Sequence, residues 1–140
     1  MYQIKCEDVI SADLLTVEEA SKLPRWIRAN GEWWWLRSPG YRSNDVAGVS
    51  SGGSDCFNFV DDDDVAVRPA LRIKHVNLDF GETVEVFGEM AQYIGDDKVL
   101  LCDVVAKKRF DGESNDYEES EIKSYLDSWL DWKRENMEVK

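Results

Sequence analysis

Residues 33–73 read WWWLRSPGYRSNDVAGVSSGGSDCFNFVDDDDVAVRPALRI, and the order of residue types here decides the fold. Residues 33–36 contain no polar side chain, the pattern of a buried strand. Side chains alternate between faces along a strand, so consecutive tryptophans put at least one indole on each side. Such a strand is expected to lie sandwiched between two apolar layers. Ser38-Pro39-Gly40 is expected to turn the chain, Pro presetting φ and Gly supplying the positive φ of a type II turn. Residues 46–49 and 56–60 read as short strands joined by Ser50-Ser51-Gly52-Gly53-Ser54, a loose hairpin. The run 61–64 turns the chain again. Val65-Ala66-Val67 and Ala70-Leu71-Arg72-Ile73 then read as one strand interrupted by Pro69, whose missing N–H suits an edge or a bulge. Arg37 and Arg68 each follow apolar residues and precede a proline bend. Their guanidinium groups are expected to donate to carbonyls freed at the bends, or to pair with carboxylates.

Upstream, Val9-Ile10 suggests a short first strand, and the polar Ser11-Ala12-Asp13 a turn. Thr16 followed three residues later by Glu19 is a capping box, opening a brief helix that Pro24 stops. Trp26 and Ile27 are expected to face inward, in a turn ending at Asn30-Gly31. Downstream, Thr83-Val84-Glu85-Val86-Phe87 alternates as a strand, residues 90–94 follow, and Gly95-Asp96-Asp97-Lys98 turns tightly into Val99-Leu100-Leu101-Cys102. A polar loop over 111–119 leads to Ser120, which caps a helix over about 121–136. Ile122, Tyr125, Leu126, Trp129 and Leu130 form its apolar stripe, with Trp132 and Met137 off it. The expected class is α+β: short antiparallel strands, a short N-terminal helix and one long C-terminal amphipathic helix. Residues 1–140 read as a single domain, with only a short seam near 74–79.

A chain of 140 residues, 43% hydrophobic and carrying six Trp, five Tyr and five Phe, holds enough apolar surface for an independent core. The net charge of −12 is uneven: residues 1–50 carry six Lys/Arg against seven Asp/Glu, residues 51–140 eleven against twenty-two. Such a field repels nucleic acid and anionic membrane and attracts basic surfaces. Direct nucleic-acid binding is therefore not expected; Lys107-Lys108-Arg109 is an isolated cluster beside an acidic loop. Cys6, Cys56 and Cys102 are odd in number and far apart, which argues against a disulfide framework and a zinc knuckle. Without an apolar signal core or a membrane span, the chain reads as cytoplasmic.

Trp34-Trp35-Leu36-Arg37-Ser38-Pro39-Gly40 and Val67-Arg68-Pro69-Ala70-Leu71 resemble the marks of a bacterial and phage domain-of-unknown-function family, WWLRSPG followed some thirty residues later by VRPAL. The polar stretch 43–58 resembles the Asn/Ser/Gly-rich hairpins between those marks, and Leu14-Leu15-Thr16-Val17-Glu18-Glu19-Ala20 the segment before them. The resemblance implies a C-type-lectin-like fold, shared with formylglycine-generating enzymes and with the variable proteins of diversity-generating retroelements. Residues 87–101, Ala106-Lys107-Lys108-Arg109-Phe110 and Ser120-Glu121-Ile122-Lys123-Ser124-Tyr125-Leu126 are similar to segments found upstream in that family but stand downstream here. A circular permutation would account for the order. The copper-binding cysteine pair of formylglycine-generating enzymes has no match in this chain, so that activity is not implied.

No catalytic motif lies in the chain. His75 is the single histidine, and nothing in the sequence brings a cysteine to it. Asp61, Asp62, Asp63 and Asp64 offer oxygen ligands suited to calcium, but they lack EF-hand spacing and repel one another. No metal and no cofactor is expected. The function expected first is a non-catalytic protein-binding module, encoded by a phage or mobile element and acting through its central loops. Its candidate contacts are Tyr41, Arg42, Asn44, Asp45, Asp55, Phe57 and Asn58, the mix of aromatic and adaptable polar groups found in binding loops. The alternative is an acidic inhibitor that imitates nucleic acid and blocks a host defence enzyme. Asp61, Asp62, Asp63 and Asp64, with Asp111, Glu113, Asp116, Glu118, Glu119, Asp127 and Asp131, would supply its phosphate-like charges.

Overall fold

The computed structural model describes residues 1–137, with side chains through Asn136, so the expected exposure of Met137 falls outside the described residues. Two mixed sheets, short N-terminal helices and one long C-terminal helix make a mixed α+β fold. One sheet contains β1 (Tyr2–Ile4), β2 (Val9–Asp13), β7 (Ala70–Ile73), β8 (Thr83–Val86), β9 (Glu89–Tyr93) and β10 (Lys98–Leu101), in spatial order β1-β8-β9-β10-β7-β2. The other contains β3 (Trp34–Pro39), β4 (Asp45–Val49), β5 (Asp55–Phe59), β6 (Ala66–Val67) and β11 (Ala106–Lys107), in order β11-β6-β3-β4-β5. Pairing is antiparallel except at β1–β8 and β3–β6. The helices are α1 (Val17–Ser21), α2 (Arg25–Arg28) and α3 (Glu121–Met137).

The double-faced tryptophan strand is real but shifted by one residue. Trp34 and Trp35 are fully buried, while Trp33 precedes β3 and is half exposed. Trp34 joins Leu36, Ala47, Val49 and Ala66 in a layer that also takes in Ala70 and Leu100 of the other sheet and Leu15, Ala20, Leu23 and Ile27 around α1 and α2. Trp35 lies on the opposite face with Val46, Val67, Phe110, Tyr117, Ile122 and Leu126. A third cluster fills the six-stranded sheet from Ile4 and Val9 to Val99 and Leu101, closed by Leu130 of α3. α3 therefore spans two cores with one apolar stripe. Ile122 and Leu126 cover the tryptophan sheet, whereas Trp129 and Leu130 reach the larger one. Trp132 is off the stripe and exposed, as its spacing requires.

Several local expectations give way to the tertiary fold. The stretch expected as one strand interrupted by Pro69 is two strands in different sheets, β6 and β7. Pro69 has no N–H to extend a ladder, so the chain changes sheet there. Ser11-Ala12-Asp13 is strand rather than turn: a register shift between Val9 and Ser11 turns both Val9 and Ala12 inward although they are three residues apart. The chain also opens on a strand with no clear signal, β1, aligned in parallel with β8. The Thr16–Glu19 capping box forms in full. Pro24, expected only to stop α1, is also the N-cap of α2. That helix is a single turn and buries one side, so Ile27 is inside as expected, while Trp26 is exposed against expectation. The stretch 74–79 joins β7 and β8, two strands of the same sheet.

Arg37 takes a carboxylate partner as expected, whereas Arg68 donates to carbonyls of β10 and α2 rather than to carbonyls of its own bend. Arg68 is 2% exposed; its Nε donates to the Leu101 carbonyl at 2.7 Å and its Nη1 to the Ile27 carbonyl at 2.7 Å. Its guanidinium also lies over the Trp34 ring, 4.8 Å from the centroid. Arg37 pairs with Glu118 at 2.9 Å and stacks over Tyr117 at 4.4 Å. One guanidinium thus ties α2 and β10 to the sheet crossing, and the other ties β3 to the turn before α3.

Candidate functional site

The site begins at a close approach. Gly40 was expected to need a positive φ in a type II turn, but it does not have one, and Pro39 belongs to β3. Glycine is required there for space. A Cβ at position 40 would sit 2.7 Å from Asp45 Cβ and 3.0 Å from Phe57 Cδ1. The Gly40 N–H donates to the Asp45 carbonyl at 2.8 Å, which holds residues 40–45 against the start of β4. The β4–β5 hairpin forms as read, with Gly53 at φ +92° in its turn.

β5 is the outer strand of its sheet and pairs with β4 without a register shift over five residues. Asp55, Phe57 and Phe59 are exposed on one face of it, alternating with half-buried Cys56 and Asn58. Tyr41, 93% exposed, leans on Phe57 with ring centroids 5.2 Å apart. Tyr41, Arg42, Asp45, Phe57, Asn58, Phe59 and Asp62 line an open depression of about 540 Å³ along this edge. Five of the expected central contacts, Tyr41, Arg42, Asp45, Phe57 and Asn58, therefore converge on one surface, joined by Asp62.

Two expected contacts do not join them. Asn44 is exposed and offers its carbonyl to the Val60 N–H at 2.8 Å. Asp55 stands at the far end of β5, where it pairs with Arg28. Of the acidic run, Asp62 accepts from the Asp64 N–H at 2.9 Å, while Asp61, Asp63 and Asp64 are exposed at the rim. Phe59 lines the same depression, although it is not among the expected contacts. The strict alternation Asp55-Cys56-Phe57-Asn58-Phe59 carried the signal, since it places both phenyl rings on one face.

A second acidic segment borders the depression. The Phe110 and Asp111 N–H groups both donate to the Val60 carbonyl, at 2.9 and 3.1 Å, which places Asp111 beside the 61–64 turn. Asn115 Nδ2 donates to the carbonyls of Arg42 and Asp45, at 3.0 and 3.2 Å, pinning the polar loop to the 42–45 turn. Burial alone would raise the Asp111 carboxyl, but hydrogen bonds from the N–H groups of Ser114, Glu113 and Glu121 hold it below the usual carboxylate range. It stays an anion. Arg109, whose charge also favours the Asp111 anion, is held by Glu121 through paired bonds of 2.9 and 2.8 Å. Among the described residues, Arg42 is the one cation lining the depression.

The groups with potential chemistry lie elsewhere. His75 Nδ1 is 2.9 Å from Asp97 Oδ1 in an exposed pair. Cys6, Cys56 and Cys102 are free and half-buried, and burial raises the thiols of Cys56 and Cys102 above their ordinary value, away from thiolate reactivity. Among the described residues, no three His, Cys, Asp or Glu side chains converge as metal ligands, and no helix is long and apolar enough to cross a membrane. No family model, curated protein or solved structure matches the chain.

Proposed function

We propose that this chain is a non-catalytic protein-recognition module, and that its contact surface is the aromatic edge formed by Tyr41, Phe57 and Phe59. The observation that carries this reading is their exposure, 93%, 49% and 52%, with Phe57 and Phe59 on the outer strand of a sheet and Tyr41, from the segment before β4, against Phe57, in a protein of net charge −12. Three adjacent aromatic rings left in water mark a surface that gains by being covered. The acidic turns around it favour a partner with a basic face. The quoted WWLRSPG and VRPAL marks support placing the chain with the lectin-like family, in permuted order and with a phage or mobile-element origin. Three unpaired cysteines support action in the reducing cytoplasm.

A second reading rests on a different observation. The acidic turn 61–64 and the loop containing Asp111, Glu113 and Asp116 sit side by side, joined through Val60. As an acidic inhibitor, the chain would use these carboxylates in place of phosphates against a nucleic-acid-binding groove.

The test is retention of a host protein by the tagged chain at low and high salt, with Tyr41→Ala/Phe57→Ser set against Asp61→Asn/Asp63→Asn. The aromatic-edge module predicts a partner kept through high salt and lost with the aromatic pair, both variants melting as the parent does. A partner released by salt and by the aspartate pair, but indifferent to the aromatic pair, would replace this reading with the inhibitor.

A further inference from the structure

The hydrogen-bonding direction along β5 can be assigned residue by residue. The Val60 N–H bonds to the Asn44 carbonyl and the Ser50 N–H to the Ser54 carbonyl, each at 2.8 Å. In an antiparallel ladder, hydrogen-bonded and non-bonded pairs alternate. Asn58–Val46 and Cys56–Gly48 are therefore the bonded pairs. It follows that the N–H and C=O groups of Asp55, Phe57 and Phe59 point outward, away from β4. Among the described residues one of these is engaged: the Phe59 carbonyl accepts from the Asp62 N–H at 3.0 Å. The remaining outward groups form half of a ladder.

Exposed edges in folded proteins are usually guarded by a lysine, a proline, a bulge or a covering loop. β5 has no lysine, proline or register shift, and it carries Phe57 and Phe59 on its open face. An edge engaged at the Phe59 carbonyl but open along Asp55 and Phe57, with its own aromatic rings beside it, fits an incoming strand. Charge selects the occupant. Asp45, Asp61, Asp62, Asp63 and Asp64 crowd one end of the strand, and Asp111 stands behind them. A second copy of this chain would bring another charge of −12 to the same edge. A peptide with arginine or lysine at alternate positions would instead lay its cations over the phenyl rings and toward the carboxylates.

We infer that the outer edge of β5 takes up an extended basic peptide as an added antiparallel strand, its main chain pairing with Asp55 and Phe57 and its alternate cationic side chains crossing Phe57 and Phe59. This names the partner class for the aromatic edge and rests on that proposal. The geometry fixes the frame. A residue opposite Phe57 shares its face, and because Phe57 points its main-chain groups outward, that residue must point its own N–H inward. The cationic residues on the aromatic face are therefore the ones whose N–H groups enter the ladder; their neighbours point theirs to water.

The probe is a blocked heptapeptide alternating arginine and threonine, fluorescently labelled and titrated with the intact protein. Methylating the arginine main-chain nitrogens should weaken binding by about tenfold, the loss of one or two hydrogen bonds, while methylating the threonine nitrogens should leave it within about twofold. Asp61→Asn/Asp63→Asn should weaken the parent peptide several-fold, and a glutamate–threonine peptide should not bind. Equal loss in both methylated frames would overturn strand addition. So would equal binding of all the peptides, no binding of the arginine peptide, or a protein dimer in sedimentation that the peptide cannot dissociate. The aromatic-edge function would survive each of these outcomes as long as the Tyr41 and Phe57 variants still release the host partner.

Discussion

Trp34 and Trp35 are neighbours in the chain, and both are fully buried, yet they serve different cores. The Trp34 ring lies beneath the Arg68 guanidinium and donates its Nε1–H to the Arg28 carbonyl at 3.0 Å, in the layer between the sheets. The Trp35 ring meets Phe110 edge-on, with centroids 5.6 Å apart, and donates to the Lys108 carbonyl at 2.8 Å beneath α3. One strand therefore couples the packing of both layers. Trp34→Ala and Trp35→Ala should each cost about 3–5 kcal/mol by urea denaturation. Trp35→Ala should in addition loosen α3, read as faster amide exchange over residues 121–130 than in Trp34→Ala.

Arg68 is held by carbonyls rather than by a carboxylate: no acidic side chain pairs with it within salt-bridge distance among the described residues. Burial pushes its pKa down to about 10, with nearby Cys102 and Asp103 acting in the opposite direction. It remains cationic at neutral pH. Arg68→Met keeps much of the volume but leaves the Leu101 and Ile27 carbonyls without their donor, so a loss of about 2–4 kcal/mol is expected in chemical denaturation. Arg68→Lys should recover only part of this, because one ammonium cannot reproduce the fork that reaches two separate carbonyls.

Glu19 joins the cap of α1 to β10 through its ion pair with Lys98. Burial would raise its carboxyl, but the Lys98 bond, the Thr16 N–H and the Lys98 charge together hold it below the ordinary 4.5. A depressed carboxylate adds stability above the unfolded-state pKa and loses it as pH falls through the folded one. Glu19→Gln should therefore lower the melting temperature at pH 7, and the gap to the parent should close as pH drops below about 4.5. A gap unchanged from pH 7 to pH 3 would show that the ion pair contributes nothing.

Tyr117 is a smaller keystone. Its hydroxyl donates to Asp13 Oδ1 at 2.7 Å and accepts the Leu14 N–H at 3.3 Å. Burial, then the Asp13 bond and charge, push its phenol far above the ordinary range. Tyr117→Phe leaves the Leu14 N–H buried without an acceptor and should cost about 1–3 kcal/mol. The Tyr117 signal should also stay absent from a phenol titration at any pH where the fold persists.

Local chemistry determined a good deal of this protein. Thr16 and Glu19 are close enough along the chain to satisfy each other whatever surrounds them, so their capping box could be read directly. The stripe from Ile122 to Leu130 required a helix, and the serine–glycine segment between residues 50 and 54 required a turn. Two adjacent tryptophans required a strand with apolar cover on both sides, since a pleated backbone points them apart. The aromatic and polar mix over residues 41–58 marked the surface where Tyr41 and Phe57 meet.

Long-range pairing decided the rest. Nothing local distinguishes a proline that bends one strand from a proline at which the chain leaves one sheet for another, and Pro69 proves to be the second kind. Ser11-Ala12-Asp13 looks like a turn until β7 supplies a partner, because an edge strand tolerates polar side chains on its wet face. Gly40 is needed not for its φ but for the 2.7 Å it allows to Asp45 Cβ, a distance set by two segments meeting in space. The open edge of β5 is likewise a property of the whole sheet: whether a strand's outer N–H groups are free depends on which strand, if any, the rest of the chain lays beside it.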